Sequence, residues 1–494
     1  MSSTFAPALG AALLPEILLL ALAVVCAVLG SIRPHERPDL YRWIAVMGLL
    51  GAVTATAYTL HATQRGNGVA IVVWGGGLVV DRFSMYITVA ACAFALITCL
   101  SADTYTRRIP TRSAAFFALV LLITAAISAL AAEREMATMF LTLEVVIVGT
   151  TAIQALVKTE EEAAEAGWKY LVEGAVASAL LLYGLAILYG VSGSTSLVAL
   201  GLALNHAPAA GALGITLVLL GLTFPLGIAP LRAWVGRATE ATPATVAGFV
   251  ITMGVTAGAV AWLRFGVSGL GPSLEPWVGL TAVLAAIGLL HAAMTAVQEE
   301  RVGRLIGAVA SGEAALLLLA LLAAGLGATN KQADGAIALL FSLTVFGVAV
   351  LATFTMLAIL QAARLPGDLS DFRGLGRRSP VAAALLSLAL AGLIGAPPVA
   401  GFLARTLLFE SAIDAGYGWV AAVAVAASLL LAVPVVRLIA SMYADRGHDA
   451  PFTMQASPLM TRVVGGACAI AAVLATVLVQ PLLLLAQGSA GPVH

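Results

Sequence analysis

Fourteen long apolar runs constrain this chain more than any other feature of its sequence. Runs of about 18 or more residues with few charges fall near 10–32, 43–61, 83–102, 114–132, 136–157, 168–191, 210–230, 243–265, 276–297, 304–326, 335–362, 380–404, 416–443 and 463–487. Each can cross a bilayer as a helix, the one open-chain structure that satisfies its own backbone polar groups in lipid. Hydrophobic residues make up 61% of the 494 and charged residues 10%, with a mean hydropathy of +1.03. The chain therefore reads as an all-α polytopic membrane protein of about fourteen transmembrane helices. Its longest connections, around 363–379 and 444–462, are too short to hold a fold of their own.

The 25 basic and 25 acidic side chains cancel, so no global field points to nucleic acid as a partner. Their placement is more informative than their sum. The odd-numbered connections hold Arg33, Arg37 and Arg42, then Arg107, Arg108 and Arg112, then Lys158, then Arg232 and Arg237, and then Arg301 and Arg304. Arg364, Arg373, Arg377 and Arg378 follow, and Arg446 and Arg462 complete the series. The even connections carry Arg65 with Arg82, Arg134 and Lys331, and no basic residue in 192–209. By the positive-inside rule the odd loops face the cytoplasm and both termini lie on the outer side.

Cys26, Cys92, Cys99 and Cys468 lie in apolar runs without metal-ligand spacing, which indicates neither a disulfide nor zinc. The run from Leu9 to Ile32 contains Glu16 and lacks a basic leader, so it reads as a first transmembrane helix and not as a cleaved signal. There is no phosphate-binding loop, CxxC, HExxH or GxSxG motif. Whatever powers the protein lies on other chains or in an ion gradient.

Two of the runs are interrupted. In the twelfth, Gly395-Ala396-Pro397-Pro398 and Gly401 precede a lone cation, Arg405. Proline removes a backbone donor and clashes with the preceding turn, so this pattern breaks a membrane helix in mid-span. Two readings stand: an ion path that uses the buried charge, or a kinked helix whose Arg405 snorkels to the interface. The seventh run carries Phe224-Pro225-Leu226-Gly227-Ile228-Ala229-Pro230, five spans earlier and so reversed in direction. Breakers at corresponding positions point to inverted repeats; ordinary proline kinks are the alternative. On the repeat reading, 1–113 holds three N-terminal helices, 114–265 (helices 4–8) and 266–443 (helices 9–13) are the repeats, and 444–494 is a loop with helix 14.

Ionisable residues inside spans are functional candidates by default. Glu144 lies mid-span in Leu141-Thr142-Leu143-Glu144 and is a candidate proton carrier. Lys169 and Glu173, four residues apart, share a helix face and are expected either to relay charge or to form a local structural pair. Arg304 and Glu313 share the tenth span, and Glu313 is the acidic group to look for near Arg405. Arg437, and Arg232 with Trp234 after the seventh-span break, read as interfacial. Thr159-Glu160-Glu161-Glu162 reads as a solvated acidic face.

Several segments together resemble the antiporter-like membrane subunits of complex I, NADH–quinone oxidoreductase, with wording nearest the subunit N type (subunit 2 in mitochondria). They are Asp371 to Pro380, Ala391 to Phe402, Lys169-Tyr170 with Gly174 to Ala186, Leu141 to Glu144, Pro230 with Trp234, Ala241-Thr242-Pro243, and Arg304 beyond Gln298. The resemblance implies two inverted five-helix repeats with broken helices 7 and 12, and a buried charge chain carrying protons between half-channels. It puts Glu144 at the fifth-helix glutamate, Lys169 at the sixth-helix lysine and Arg405 at the twelfth-helix lysine. It also implies proton translocation coupled to quinone reduction, partner membrane subunits in a bacterial inner membrane, and no cofactor on this chain, with quinone, NADH, FMN and iron–sulfur clusters on partner subunits. The alternatives are a subunit of a cation/proton antiporter or membrane hydrogenase-type complex, and a non-conducting structural subunit.

The departures from that pattern fall on its central relay. Pro225 takes the place of the seventh-helix lysine, uncharged Phe249, Thr252 and Met253 stand where the eighth helix offers a lysine or histidine, and Gly303 replaces the lysine beside Arg304. Arginine at 405 keeps its proton where a lysine can release one.

Overall fold

The structure, a computed structural model, describes residues 12–32, 38–65, 70–107, 109–156, 161–204, 208–270, 275–325, 329–363, 365, 367–444, 463 and 465–467. Most of the expected fourteenth span, nearly all of the connection before it, and Thr159 and Glu160 of the acidic cluster lie outside the described residues. Among the described helices, 12 are long and apolar enough to cross a membrane. They are α1 (Leu14–Ile32), α2 (Pro38–Arg65), α3 (Arg82–Ser101), α4 (Ser113–Ala132), α5 (Met136–Gln154), α6 (Glu161–Ser192) and α7 (Pro208–Leu226), followed, after the short α8 (Ala233–Ala241), by α9 (Ala244–Leu263), α10 (Glu275–Gln298), α11 (Val302–Ala324) and α12 (Thr329–Ala362), and last by α15 (Gly418–Tyr443). Between the last two, the twelfth span is divided into α13 (Pro380–Leu393) and α14 (Ala400–Asp414). The seventh span is divided in the same way, into α7 and α8.

The two breaks are built alike. Gly227 and Gly395 both take positive φ, 63° and 61°, and each stands three residues before a proline that follows a cis bond, Pro230 and Pro398. Glycine closes the preceding helix because a side chain is disfavoured in that conformation. Ile228 N reaches back to Thr223 O and Ala396 N to Ala391 O, so each helix end keeps its carbonyls partnered as lipid demands. Pro225 is the penultimate residue of α7, and Gly401 falls in the first turn of α14.

A second pair of matching features supports the same internal repeat. Glu135, just before α5, pairs in an isolated antiparallel bridge with Ser196, and Arg301, just before α11, pairs with Asp368. Each bridge ties the entry of one span to the connection ahead of its repeat's broken helix. The fold thus holds two inverted five-helix repeats, each with one broken helix.

At the centre lies α9, every residue of which is buried. It packs on α5, α7, α11 and α12, so the two repeats share it as a wall. On the periphery, α1 exposes Ile17, Val24 and Val28, and α10 exposes Ile287, Leu290 and Met294, apolar faces suited to lipid or to neighbouring chains.

One element was not expected from the apolar runs. Before α3, β1 (Ile71–Val73) and β2 (Leu78–Val80) form an antiparallel hairpin. Its β-branched residues and the glycines of its turn suit a strand pair too short to register against the helical runs. Arg264, fully buried at the end of α9, anchors this corner: its Nη2 donates to both carboxylate oxygens of Asp81 at 2.9 Å, its Nε donates to Ala131 O at 2.7 Å, and its guanidinium stacks 4.8 Å from the Phe83 ring centroid.

Candidate functional site

The break in the twelfth span lets α14 restart with Arg405 on its second turn, facing α11. There the guanidinium meets the carboxylate of Glu313 in a direct ion pair, with side-chain exposures of only 10% and 12%. A cavity of about 20 Å³ lies against the pair, lined by Glu313, Ser342, Gly392 and Arg405 among others. Arg405 Nε is buried without a protein partner. Two charges so far from solvent tolerate each other's removal poorly, because the survivor is left uncompensated.

The first repeat arranges its charge differently. After the seventh-span break, Arg237 on α8 pairs with Glu173 on α6. Lys169 does not join Glu173, as the shared helix face suggested; it pairs at 2.5 Å with Glu165, one turn earlier, in the more favourable acid-before-base order. One turn beyond Arg237, Glu240 pairs with Arg304, and its other oxygen accepts from Arg301 Nη1 at 2.8 Å. Charges of alternating sign therefore run Glu173, Arg237, Glu240, Arg304 from α6 through α8 to α11. Glu313 follows nine residues further along α11, about 13 Å at 1.5 Å per residue. Ser311, buried and with its hydroxyl unpartnered, lies between them. Arg237 and Arg405 stand at the same spacing along the chain as Gly227 and Gly395, so each repeat sets an arginine on the helix after its break and gives it a glutamate.

Glu240 escaped the sequence reading. It sits in no apolar run, and its signal was its place one turn after Arg237 on the segment that restarts a broken helix. His291 escaped as well: its Nδ1 lies 2.7 Å from Arg232 Nη1, which also donates to Thr295 at 2.8 Å. Arg232 and Trp234, expected to snorkel at the membrane interface, are instead both buried within the protein. The indole of Trp234 packs edge-on against Tyr170 and donates to Phe224 O at 2.9 Å, partnering a carbonyl at the broken end of α7. The break itself recruits the two side chains that its local sequence seemed to leave at the surface.

Glu144 has no ion-pair partner among the described residues, and its Oε1 is buried and unpartnered. Leu141 and Val148, on the same helix, are exposed. The central wall near it carries no charge: Pro225, Phe249, Thr252 and Met253 are all buried, and the Thr252 hydroxyl is unpartnered.

Outside the spans, the Arg264 corner holds a further titratable group. Glu133, 4% exposed between α4 and α5, has its carboxyl pushed up from 4.5 to about 7 by burial, with the Thr138 hydroxyl, Glu135 and Arg264 as smaller influences.

Residues 134–431, the stretch that holds both breaks and every charge pair of the two repeats, match the family described as "NADH:quinone oxidoreductase/Mrp antiporter, TM". The chain belongs to this family. Among its members, "NADH-quinone oxidoreductase subunit N" of Desulfovibrio desulfuricans is 31% identical over 466 residues, covering 90% of this chain and 88% of the relative. A chain of respiratory complex I from Thermus thermophilus superposes with a TM-score of 0.78 at 26% identity, covering 97% of this chain and all of that one. A chain of the Mrp complex from Dietzia sp. DQ12-45-1b shares the fold, with a TM-score of 0.81 at 19% identity and 97% coverage of both. Beside the two breaks of this chain stand arginines, Arg237 and Arg405.

Proposed function

We propose that this chain is the antiporter-like, subunit-N-type membrane subunit of a complex I-type NADH–quinone oxidoreductase, and that it takes part in proton translocation coupled to quinone reduction. The observation that carries the reading is the alternating chain Glu173–Arg237–Glu240–Arg304, continued by Glu313–Arg405, which joins the helices after both breaks. In it the carboxylates bind and release protons and the arginines act as fixed positive charges that stabilise the unprotonated forms. Glu144 is the proton acceptor at the edge of the first repeat, and Lys169 is a cation at its surface. The path bypasses Pro225, Phe249 and Met253 by running along α8. The repeats divide at 114–265 and 266–443. The chain itself binds no cofactor; quinone, NADH, FMN and iron–sulfur clusters belong to its partner subunits. It resides in a bacterial inner membrane with odd loops in the cytoplasm and both termini outside.

A non-conducting scaffold is the reading favoured by the uncharged central wall. Purifying the native assembly, identifying its chains by mass spectrometry and measuring protons moved per quinone reduced in proteoliposomes separates these. Redox subunits in the preparation and a proton yield lowered by Glu240→Gln support the proposal. Cation/proton antiporter subunits without a quinone-reducing module would overturn its first half, and a proton yield untouched by Glu240→Gln its second.

A further inference from the structure

The three N-terminal helices lie outside both repeats, yet they hold a buried carboxylate of their own. Glu16, in the first turn of α1, accepts a hydrogen bond from Ser128 Oγ of α4 at 2.6 Å. Ser128 Oγ in turn lies 2.6 Å from Thr88 Oγ1 of α3, and Thr88 Oγ1 lies 2.9 Å from the Ser84 carbonyl. The other carboxylate oxygen, Oε2, is buried with no partner. A cavity of about 10 Å³ adjoins it, lined by Glu16, Thr56, Ser84 and Thr88 together with apolar side chains.

Counting hydroxyl protons shows what this arrangement can hold. Thr56 donates to Ala52 O at 2.9 Å and Ser84 Oγ to Asp81 O at 2.8 Å, so both present lone pairs to the cavity. Among the described residues, no basic side chain lines it. Arg264, at the hairpin corner, turns Nη2 to both oxygens of Asp81 and Nε to Ala131 O, and it is not among the residues that line the cavity. The titratable group beside Glu16 on α3 is Cys92, and Asp81 lies beyond Ser84. Thr59, which also lines the cavity, donates to Ala55 O at 3.0 Å, so Ser128 is the donor this carboxylate has among these hydroxyls, and it lacks the positive partner that burial of its charge requires.

The hydroxyl chain supplies a way to bring that positive charge in. With Glu16 ionised, Thr88 donates to Ser128 and Ser128 to Glu16. With Glu16 protonated, the direction reverses: Glu16 donates to Ser128, Ser128 to Thr88, and Thr88 to the Ser84 carbonyl, so every proton has an acceptor. Both directions fit the same oxygen positions. No bond forms or breaks beyond O–H bonds: a hydronium ion reaching Thr88 from the adjoining cavity gives up one proton and leaves as water, Thr88 passes its own proton to Ser128, and Ser128 passes its own to Glu16, since the Ser84 carbonyl only accepts.

We infer that Glu16, Ser128 and Thr88 form a proton-binding site between the N-terminal helices and α4, whose hydroxyl chain leads toward the Ser84 and Asp81 corner of the hairpin. The site shares no residue with the charge chain of the repeats, so it stands or falls separately from the proposed function. Infrared difference spectra of the purified native complex, taken between acidic and alkaline pH, test it. Wild type is expected to show a carboxylic-acid C=O band that Glu16→Gln removes, and that Thr88→Val shifts. A full set of carboxyl bands in assembled Glu16→Gln overturns the inference. So does loss of the wild-type band on replacing choline chloride with sodium chloride, which would mark a sodium site. Should Glu16→Gln fail to assemble, the Thr88→Val complex decides: an unshifted band rejects the hydroxyl chain.

Discussion

Arg405 and Glu313 meet across the break of the twelfth span, arginine on the restarted helix and glutamate on α11, with both side chains almost entirely shielded. A fixed positive charge in this position holds the carboxylate without competing for its proton. Lysine could take over the role and could also exchange a proton, so Arg405→Lys is expected to retain or raise proton transfer. Arg405→Ala strands Glu313 and is expected to cost about 3–5 kcal/mol, seen as a lower yield of assembled complex. Loss of transport in Arg405→Lys alongside normal assembly of Arg405→Ala would show that the guanidinium fork itself is needed.

Glu240 joins the repeats through Arg301 and Arg304, whose side chains are 57% and 43% exposed. Exposed pairs contribute at most about 1 kcal/mol, so Glu240→Gln should leave assembly and thermal stability close to wild type. Its proton yield per quinone reduced should fall, because glutamine keeps the shape but carries no proton. A stability loss with an unchanged yield would make Glu240 a structural clamp.

Glu133 predicts a pH dependence at the hairpin corner. Its folded value, about 7, is raised above the ordinary 4.5 by burial. The neutral carboxyl fits the buried site, so its contribution is fully present below about pH 4.5 and is lost as pH rises through 7, a change of about 3 kcal/mol at 1.36 kcal/mol per unit. Hydrogen exchange at Leu78 to Val80, compared at pH 5 and pH 8, should quicken at the higher pH beyond the intrinsic change. Glu133→Gln should abolish the difference, and a difference that survives the substitution would assign it elsewhere.

The span pattern and both breaks were legible in the sequence because each rests on local chemistry: apolar length, and proline beside glycine. The pairing of charges was not, because it depends on which helix faces meet. Glu173 had a cation four residues away on its own helix, and it took Arg237 instead, a residue brought near only by the restart of α8. Arg232 and Trp234 looked interfacial for a related reason: the end of a broken helix offers carbonyl and polar partners in the interior that a continuous helix would lack. The hairpin at Ile71 to Val80 was hidden by its brevity. For Glu16, the sequence offered a charge in an apolar run, but the hydroxyls that surround it come from three other helices.

Gly401 tests the packing of the second break. A Cβ added there would lie 2.4 Å from Gly392 O and 3.0 Å from Gly395 Cα, backbone atoms that cannot rotate away. Gly401→Ala should therefore destabilise by about 1–3 kcal/mol and disturb the Arg405 position, lowering proton yield as well. Gly190, in α6, has open space around its would-be Cβ. Gly190→Ala is the matched control and should be neutral or slightly stabilising. Equal effects of the two substitutions would refute the close-approach argument.

Glu144 offers the sharpest separation of conduction from structure. It has no ion-pair partner among the described residues, so replacing it strands no opposite charge, and its buried Oε1 has no hydrogen bond to lose. Glu144→Gln should accordingly assemble as well as wild type and leave the rate of quinone reduction measured without a proton gradient nearly unchanged. If the carboxyl accepts the proton that enters the first repeat, the variant's proton yield per quinone must fall, since an amide cannot take its place. Glu144→Asp, which keeps the carboxyl but withdraws it by one methylene, should recover part of the yield. A full yield from Glu144→Gln would move the entry point to Glu173, the next carboxylate along the α6–α8 path, and Glu173→Gln would then have to show the loss that Glu144→Gln did not.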